Sequence, residues 1–232
     1  MDIVVISYDG MFVDGCLKAL GRYSNDEDMN IIVQQSENSI PYNVNRGAEQ
    51  VESDWFVLFN DDWEPMADCW LDRLVMLQDD DIGVISPLFV FDDGTVNNDG
   101  GYIISPNGLV RNIGMNKQVG AACREDKYVD YAHGVMVRTE LFRRIGGYDE
   151  SFKGSQFADI DFAYRVMQTG YRAFYAGSVS ILHHHDKNPR TRSVRNLVRV
   201  DNEMTWQRKH GFKGGDSRLA RLKARGPKKG VR

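Results

Sequence analysis

The amino-acid sequence predicts an α/β fold in which a mostly parallel central sheet is flanked by helices. Apolar runs recur along the chain, and their continuous, β-branched character is typical of strands buried on both faces. Segments with helical periodicity separate most of these runs, and this alternation is typical of a parallel sheet covered by helices on both sides. The predicted strands span 2–7, 30–34, 55–59, 82–91, 133–138 and 178–183.

The helices are predicted from the spacing of apolar residues and from their ends. Trp70, Leu74 and Leu77 form an apolar stripe along one of them. Gly170 follows another, at the position where a glycine commonly ends a helix. The predicted helices span 16–23, 45–53, 67–78 and 158–170.

Charge is distributed unevenly along the 232 residues, although the net charge is only −4. Residues 1–186 carry 14 Lys and Arg against 30 Asp and Glu, whereas residues 187–232 carry 15 against 3. A basic end on an acidic body predicts either an anionic partner or contact with the protein's own acidic surface. We predict one domain over 1–212 and a basic, flexible tail over 213–232.

Several classes of protein are disfavoured by the sequence. There is no apolar run of about 18 residues that would predict a transmembrane helix. The chain starts as a strand without a basic leader segment, so no signal peptide is predicted. Cys16, Cys69 and Cys123 are widely spaced and fit neither a disulfide framework nor a zinc site. This pattern favours a reducing, cytoplasmic location.

Three polar side chains, Asn60, Asp61 and Asp62, follow the predicted strand at 55–59. Ligands of parallel sheets bind beyond the carboxyl ends of the strands, and adjacent carboxylates suit a bound cation. Mg²⁺ and Mn²⁺ prefer such oxygen ligands, together with substrate phosphates. Because residues two apart in an extended segment point the same way, Asn60 and Asp62 are expected to share a face. A solvated turn before Pro65 is the alternative.

Two carboxylates, Asp159 and Asp161, lie in the first turn of the predicted helix at 158–170. One interpretation is that they only stabilise the helix through its dipole. The other is that one of them is a general base. Residues two apart on a helix face different directions, so at most one is expected to reach a substrate.

Consecutive histidines, His183, His184 and His185, lie at the end of the predicted strand at 178–183. A neutral imidazole there could complete a carboxylate site, and it would suit Mn²⁺ better than Mg²⁺. A surface cluster with no ligand is the alternative.

These segments and others occur in a familiar order. They are "YNVNRGAEQVESDW", "LFNDDWEPMADCWLDRL", "DDDIGVISPLFVFDDG", "HGVMVRTELFRRIGGYDESF", "ADIDFAYRVMQTGYRAFY" and "SVSILHHHD". Together they resemble the GT-A glycosyltransferases of glycosyltransferase family 2, in particular the rhamnosyltransferase-like branch. The resemblance covers roughly residues 2 to 211 and implies the GT-A fold.

By position, the resemblance implies a metal site and a base. Asn60 and Asp62 correspond to the ends of the family's metal motif, and His184 to its late metal-ligating histidine. The implied cofactor is Mn²⁺ or Mg²⁺, which would bridge the donor diphosphate. Asp159 corresponds to the general base that takes the proton of the acceptor hydroxyl.

The resemblance also implies a site for the nucleoside diphosphate sugar. It draws on the first strand end, the second strand end, the helix before the metal motif and the metal motif itself. The residues implied to bind the donor are Ser7, Tyr8, Asp9, Gln34, Asn45, Asn60 and Asp61.

Two positions depart from the family pattern. Ala158 stands where the family has a Glu before the base, and this favours the alternative of a non-catalytic module that binds a nucleotide or glycan. Gln34 or Gln35 stands where the family has an acidic residue that contacts the base. A carboxamide can pair with more than one base edge, so the sequence leaves the nucleotide open.

The implied activity is a metal-dependent, inverting transfer of a hexosyl or deoxyhexosyl group to a hydroxyl acceptor. His133 is expected either to line the acceptor side or to cap a strand. A nucleotidyltransferase is a further alternative, but "SYDGMFVDG" is not the Gly-rich phosphate-binding stretch expected of one. The basic tail leaves two accounts of the acceptor open: docking of a polyanion such as DNA, or a solubilising or membrane-surface role.

Overall fold

The structure is a computed structural model that describes residues 1–24, 29–104, 107–131, 133–154, 156–184 and 189–212. The predicted basic tail at 213–232 and His185 lie outside these residues. Of the helices in the described ranges, none combines the length and apolar character needed to cross a bilayer.

The elements alternate along the chain much as predicted. The helices are α1 (Val13–Tyr23), α2 (Ile40–Ala48), α3 (Trp70–Met76), α4 (Thr139–Arg144), α5 (Ala158–Gln168) and α6 (Pro189–Lys209). The strands are β1 (Asp2–Ser7), β2 (Asn30–Gln35), β3 (Trp55–Asn60), β4 (Trp63–Pro65), β5 (Ile82–Phe91), β6 (Val96–Asn98), β7 (Gly101–Ile104), β8 (Leu109–Asn112), β9 (Lys127–Val129), β10 (Met136–Arg138) and β11 (Arg172–His183).

The main sheet has the strand order β2-β1-β3-β10-β5-β11-β4. The pairs β1–β2, β1–β3 and β5–β11 are parallel, and the short β10 is antiparallel to both of its neighbours. β6 pairs with β5, β9 pairs with β11, and β7 and β8 form a separate hairpin. The predicted α/β fold with a mostly parallel central sheet is therefore confirmed.

Apolar layers cover both faces of this sheet. Successive residues of β1 point to opposite faces, so Val4 and Ile6 pack in the layer that includes α2, α4 and α5. Ile3 and Val5 pack in the layer that includes α1 and α3. Because both faces are covered, ligands have access chiefly at the edge where the parallel strands end.

Some predicted boundaries were wrong. α2 spans Ile40–Ala48 rather than 45–53, because Ser39 caps its start by accepting a hydrogen bond from the Tyr42 amide. Pro41 in the first turn also suits a helix start. The predicted strand at 133–138 reduces to β10, which leaves His133 in the loop before it. The sequence did not predict α4, α6 or the β7–β8 hairpin.

Asp2 ties the start of β1 to the start of β3. Its carboxylate accepts hydrogen bonds from the backbone amides of Glu52 and Ser53, from the Ser53 hydroxyl and from Asn30. Burial alone would raise the pKa of Asp2, but these hydrogen bonds prevail and lower it to about 2.

We expect Asp2→Asn to lower the free energy of unfolding by about 1–3 kcal/mol at neutral pH, as for loss of hydrogen bonds to a charged group. The folded-state pKa lies below the ordinary value of 3.8, so this contribution is complete above that value. It should disappear as the pH falls towards 2. Urea unfolding of both proteins from pH 2 to 7 measures the difference, with the exposed Asp68→Asn as control. A difference that stays constant with pH would contradict the assignment.

Candidate active site

The carboxyl ends of β1 and β3 meet at the edge of the sheet. Ile6 is in register with Asn60, and the Asp61 amide donates to the Ile6 carbonyl. The Ser7 hydroxyl donates to Asp61 Oδ2 over 2.6 Å and accepts from the Gly10 amide over 2.9 Å. Burial raises the pKa of Asp61; the Ser7 hydrogen bond opposes this shift, and the nearby Asp62 carboxylate adds to it. A hydrogen bond thus joins Ser7 and Asp61, two of the residues predicted to bind the sugar nucleotide.

The loop after β1 exposes apolar surface beside this pair. The Tyr8 residue is 54% exposed, and Met11 and Phe12 are also exposed. Asp9 accepts a hydrogen bond from the Met11 amide, which turns the chain towards α1. Tyr8 and Asp9 therefore lie where the sequence placed them, after the first strand.

A buried asparagine that the sequence analysis missed links the ends of β1 and β2. Asn43 donates to the backbone carbonyls of Ser7 and Ser36, and its Oδ1 accepts from the Ser36 hydroxyl. Gln34 Nε2 lies 3.5 Å from the same oxygen. Asn43 is fully buried on α2, and a polar residue on the buried side of a helix was the available signal.

Asp61 and Asp62 point to different neighbours. Asp62 Oδ2 lies 3.2 Å from His183 Nε2, at the end of β11. Asp62 Oδ1 is buried, and no hydrogen-bond partner for it is found among the described residues. The turn after β3 therefore sends one carboxylate towards β1 and the other towards β11.

The ring of His184, the histidine predicted to be the metal ligand, does not face Asp62. Its Nδ1 lies 2.8 Å from Asp92 and its Nε2 lies 3.2 Å from Glu64. Burial would lower the pKa of His184, but the hydrogen bonds that its ring donates to the Asp92 and Glu64 carboxylates raise it. Because neighbouring residues at a strand end point to opposite sides, the His184 ring faces those carboxylates and the His183 ring faces Asp62.

Across the described residues, no three His, Cys, Asp or Glu side chains form a group suited to hold a metal ion. The Asp62–His183 pair nevertheless offers an oxygen and a nitrogen ligand, and the buried Asp62 Oδ1 has no hydrogen-bond partner within the part of the chain that the structure describes. Mn²⁺ accepts such ligands, and sites of this class leave positions for substrate phosphates. The residues present therefore fit a divalent cation.

Asp159 is held in the first turn of α5 by hydrogen bonds to both carboxylate oxygens. Its Oδ1 accepts from the Ile160 amide over 2.9 Å. Its Oδ2 contacts His133 Nδ1 and accepts from the Tyr131 hydroxyl over 3.3 Å. The side chain of His133 is 30% exposed and that of Asp159 is 12% exposed, so solvent reaches both.

The side chain of Asn98 holds the Tyr131 hydroxyl in place. The Gly100 amide donates to Asn98 Oδ1, and Asn98 Nδ2 lies 3.1 Å from the Tyr131 oxygen. Burial raises the pKa of Tyr131 well above its ordinary value, and the Asp159 charge adds to this. Tyr131 therefore stays protonated and donates to Asp159. The sequence analysis missed both Asn98 and Tyr131.

Asp161 has a structural role. It is fully buried and contacts three cationic or basic side chains, with distances of 2.7 Å to Arg165, 2.9 Å to Lys209 and 2.8 Å to His210. These contacts join α5 to the end of α6. Of the two carboxylates, only Asp159 faces the strand ends.

Asn45 does not join the strand-end groups. Its amide donates to the Tyr148 carbonyl and to Glu150, and its Oδ1 accepts from the Tyr148 amide. It lines a shallow pocket of about 420 Å³ with residues that include Arg165 and Lys209. The side-chain amide of Asn45 thus binds the loop before α5, and its binding of the donor stays a prediction.

The two carboxylate–histidine pairs, Asp159 with His133 and Asp62 with His183, lie beside the same aromatic ring. The Phe89 ring centroid lies 5.4 Å from that of His133 and 6.4 Å from that of His183. β6 supports the same region from both faces: Asn97 contacts His183, and Asn98 contacts Tyr131. The base candidate and the metal-ligand candidate therefore each have an imidazole beside the same buried ring, that of Phe89.

Comparison with known sequences decides the family. The profile described as Glycosyl transferase family 2 matches residues 2–146, which is more than half of the chain. The chain belongs to glycosyl transferase family 2. The matched residues of this family 2 chain include the Ser7–Asp61 pair, Asp62 and His133, whereas Asp159 and His183 lie beyond the match.

Curated relatives of this family 2 chain are distant. Protein y4gI of Sinorhizobium fredii is 26% identical over 163 residues, which are 64% of the chain and 18% of that protein. The O-antigen biosynthesis protein RfbC of Myxococcus xanthus is 24% identical over 161 residues, 65% of the chain and 12% of that protein. The succinoglycan biosynthesis protein ExoA of Rhizobium meliloti is 31% identical over 78 residues, 34% of the chain and 22% of that protein. The matched segments are thus less than a quarter of each relative's length.

Solved glycosyltransferases share the fold of this family 2 chain. GalNAc-T7, solved with UDP, GalNAc and Mn²⁺, has a TM-score of 0.59 at 12% identity, covering 80% of the chain and 44% of that structure. The mannosyltransferase PcManGT of Pyrobaculum calidifontis, solved with GDP-Man and Mn²⁺, has a TM-score of 0.56 at 12% identity, covering 97% and 79%. The predicted GT-A fold is confirmed.

Proposed function

We propose that this glycosyltransferase is metal-dependent and inverting, and that it moves a hexosyl or deoxyhexosyl group from a nucleoside diphosphate sugar to a hydroxyl acceptor. The observation that carries the proposal is the presence of two carboxylate–histidine pairs, Asp159 with His133 and Asp62 with His183, whose imidazoles both lie beside the Phe89 ring. A single displacement needs a base and a stabilised leaving group on either side of one sugar.

The donor nucleoside would bind at the ends of β1 and β2. Asp61 and Ser7 form a fixed polar pair there, and Tyr8 offers an exposed ring against which a base can pack. Gln34 lies at the neighbouring strand end and would face the base edge. Relatives of the fold bind UDP and GDP-mannose, which supports a nucleoside diphosphate as the donor class.

Asp62 and His183 would hold Mn²⁺ or Mg²⁺, with Asn60 beside them at the end of β3. Such an ion neutralises charge on a departing diphosphate. Relatives of the fold were solved with Mn²⁺, and the mixed oxygen and nitrogen donors suit Mn²⁺ better than Mg²⁺. His183 replaces His184 in this proposal because its Nε2 is the one that faces Asp62.

Asp159 would take the proton from the acceptor hydroxyl. A carboxylate has about four acceptor positions, and Ile160, Tyr131 and His133 occupy three of them. With respect to the described residues, one position on Oδ1 remains for the acceptor. His133 and Tyr131 would hold the carboxylate in place while the acceptor approaches.

A thermal-shift screen of UDP-, GDP-, dTDP- and CDP-sugars with Mn²⁺ tests the donor site. A ligand that binds the folded state raises the melting temperature by mass action. Release of the nucleoside diphosphate from the stabilising sugar nucleotide, dependent on Mn²⁺, then tests the chemistry. Absence of both effects with every donor would contradict the proposal.

A binding module without turnover is the second candidate, and Ala158 favours it because this position carries a Glu before the base in the family pattern. In the structure Ala158 is fully buried beside Asp159. This candidate predicts stabilisation by a sugar nucleotide without release of nucleoside diphosphate. The same screen therefore separates the two candidates.

For the acceptor, we propose that the basic end recruits a polyanion such as DNA. Residues 187–232 hold 15 Lys and Arg, and contacts with phosphates would make affinity fall steeply with salt. The cysteines of the described structure are unpaired, which suits a cytoplasmic location.

A truncated protein that ends at Phe212 tests this recruitment. Phe212 should be kept because its ring packs against Trp206. We expect truncation to preserve donor binding and to reduce kcat/KM for a polyanionic acceptor at low salt, with a smaller difference at high salt. Superimposable salt curves for the full-length and truncated proteins would discard the recruiting role.

A further inference from the structure

The imidazole of His183 is flanked by an oxygen atom at each ring nitrogen. Asn97 Oδ1 lies 3.0 Å from Nδ1, and Asp62 Oδ2 lies 3.2 Å from Nε2. The rings of Trp63, Phe89 and Phe91 surround the imidazole at centroid distances of 6.0–6.4 Å. The aromatic rings restrict the position of the imidazole, but they do not determine which nitrogen carries the proton.

A neutral imidazole has only one N–H to donate. An amide oxygen can only accept a hydrogen bond, so in the tautomer protonated at Nδ1 that N–H donates to Asn97 Oδ1. The lone pair of Nε2 then faces Asp62 Oδ2, and two acceptors oppose each other. A cation placed between them would be attracted by both, and the buried Asp62 Oδ1 offers a further negative oxygen.

We propose that Asn97 is a positioning residue that fixes the tautomer and orientation of His183, so that Nε2 is available to a divalent cation. This inference rests on the metal dependence proposed above. A ligating histidine donates the N–H of its second nitrogen to an oxygen acceptor, and this hydrogen bond fixes the tautomer and raises the basicity of the ligand. Asn97 can do this because β6 pairs with β5, through Val96 with Val90 and Asn98 with Phe89.

A double-mutant cycle measures whether Asn97 acts through His183. The probe is Mn²⁺ alone, and the dissociation constant is read from the electron paramagnetic resonance signal of the free ion. The proteins are wild type, Asn97→Leu, His183→Ala and the double variant. Circular dichroism and melting temperature establish that each protein is folded.

We expect Asn97→Leu to weaken Mn²⁺ binding about 10–100-fold, as is typical when the partner of a ligating histidine is lost. His183→Ala should weaken it at least as much. In the His183→Ala background, Asn97→Leu should cause no further loss, because the residue whose tautomer it fixes is absent. If Asn97→Leu instead damaged the site in general, it would weaken Mn²⁺ binding in the His183→Ala background as well.

Two more variants complete the test. Asn97→Asp retains an acceptor and should bind Mn²⁺ at least as tightly as wild type, which also guards against a Leu variant that folds poorly. Asn112→Leu, a matched substitution at the end of β8, should leave the dissociation constant unchanged. Its amide contacts only Met115 among the hydrogen bonds of the described residues.

The outcomes separate this inference from the proposed function. If wild type fails to bind Mn²⁺, both the metal dependence and the role of Asn97 are overturned. If wild type binds Mn²⁺ and Asn97→Leu binds it equally well, only the role of Asn97 is overturned. The role of Asn97 is also overturned if Asn97→Leu weakens Mn²⁺ binding by the same factor in the His183→Ala background as in wild type.

Discussion

Asp62→Ala is expected to abolish sugar transfer and Mn²⁺-dependent nucleotide binding while leaving the fold intact. The side chain contributes one oxygen facing His183 and one buried oxygen for which the described residues provide no hydrogen-bond partner. Its removal therefore deletes the main negative ligand of the proposed cation. Nucleoside diphosphate release measures turnover, and the thermal shift by nucleotide with and without Mn²⁺ measures binding.

Asp92→Ala is the matched control for this variant. Asp92 contacts His184 rather than His183, so Mn²⁺-dependent binding should be retained. If Asp92→Ala abolished binding and Asp62→Ala did not, the His184 side of the turn would be the metal site. Full activity of wild type in EDTA would remove the metal from the proposal altogether.

Asp159→Asn is expected to lower the rate of transfer at least about a hundredfold with little change in donor affinity. The substitution keeps the size of the side chain but removes its capacity to take a proton, and general bases contribute on the order of 10²–10⁴-fold. Steady-state kinetics of nucleoside diphosphate release, together with the thermal shift by the donor, measure the two effects separately.

Asp161→Asn provides the contrast. This carboxylate is buried among Arg165, Lys209 and His210, and loss of one partner of a buried ion pair is strongly destabilising. We expect a lower melting temperature as its main effect. A large rate loss in a stable Asp161→Asn protein, with Asp159→Asn active, would show that the wrong carboxylate was chosen.

The sheet was predictable because its strands β1, β3 and β5 are buried on both faces. β5, for example, is buried along its whole length, and its mostly apolar sequence predicts a strand without information from the rest of the chain. The start of α2 was misplaced because the prediction put the helix at 45–53 and did not use Ser39 and Pro41, which are ordinary signals of a helix start. The three-residue strand β10 depends on pairing with β3 and β5 and has too short a pattern of its own.

The site was predictable only in part, since its contacts join residues far apart in sequence. Asp62 and His183 are 121 positions apart, and their meeting depends on the placement of β11 beside β4. The choice between His183 and His184 depends on which side each ring faces at a strand end, and one residue of register reverses it. The partnership of Asn98 with Tyr131 likewise had no signal in the local sequence.

The placement of Asn97 and Asn98 on opposite faces of β6 has a consequence for inactivation. This strand has only three residues and pairs with β5 across an irregularity in register. Local opening of so short a segment would cost less free energy than global unfolding. It would release the support of His183 and that of Tyr131 in the same event. If heat or denaturant opens β6, metal binding by His183 and proton removal by Asp159 should therefore be lost together. We expect no intermediate that has lost only one of them.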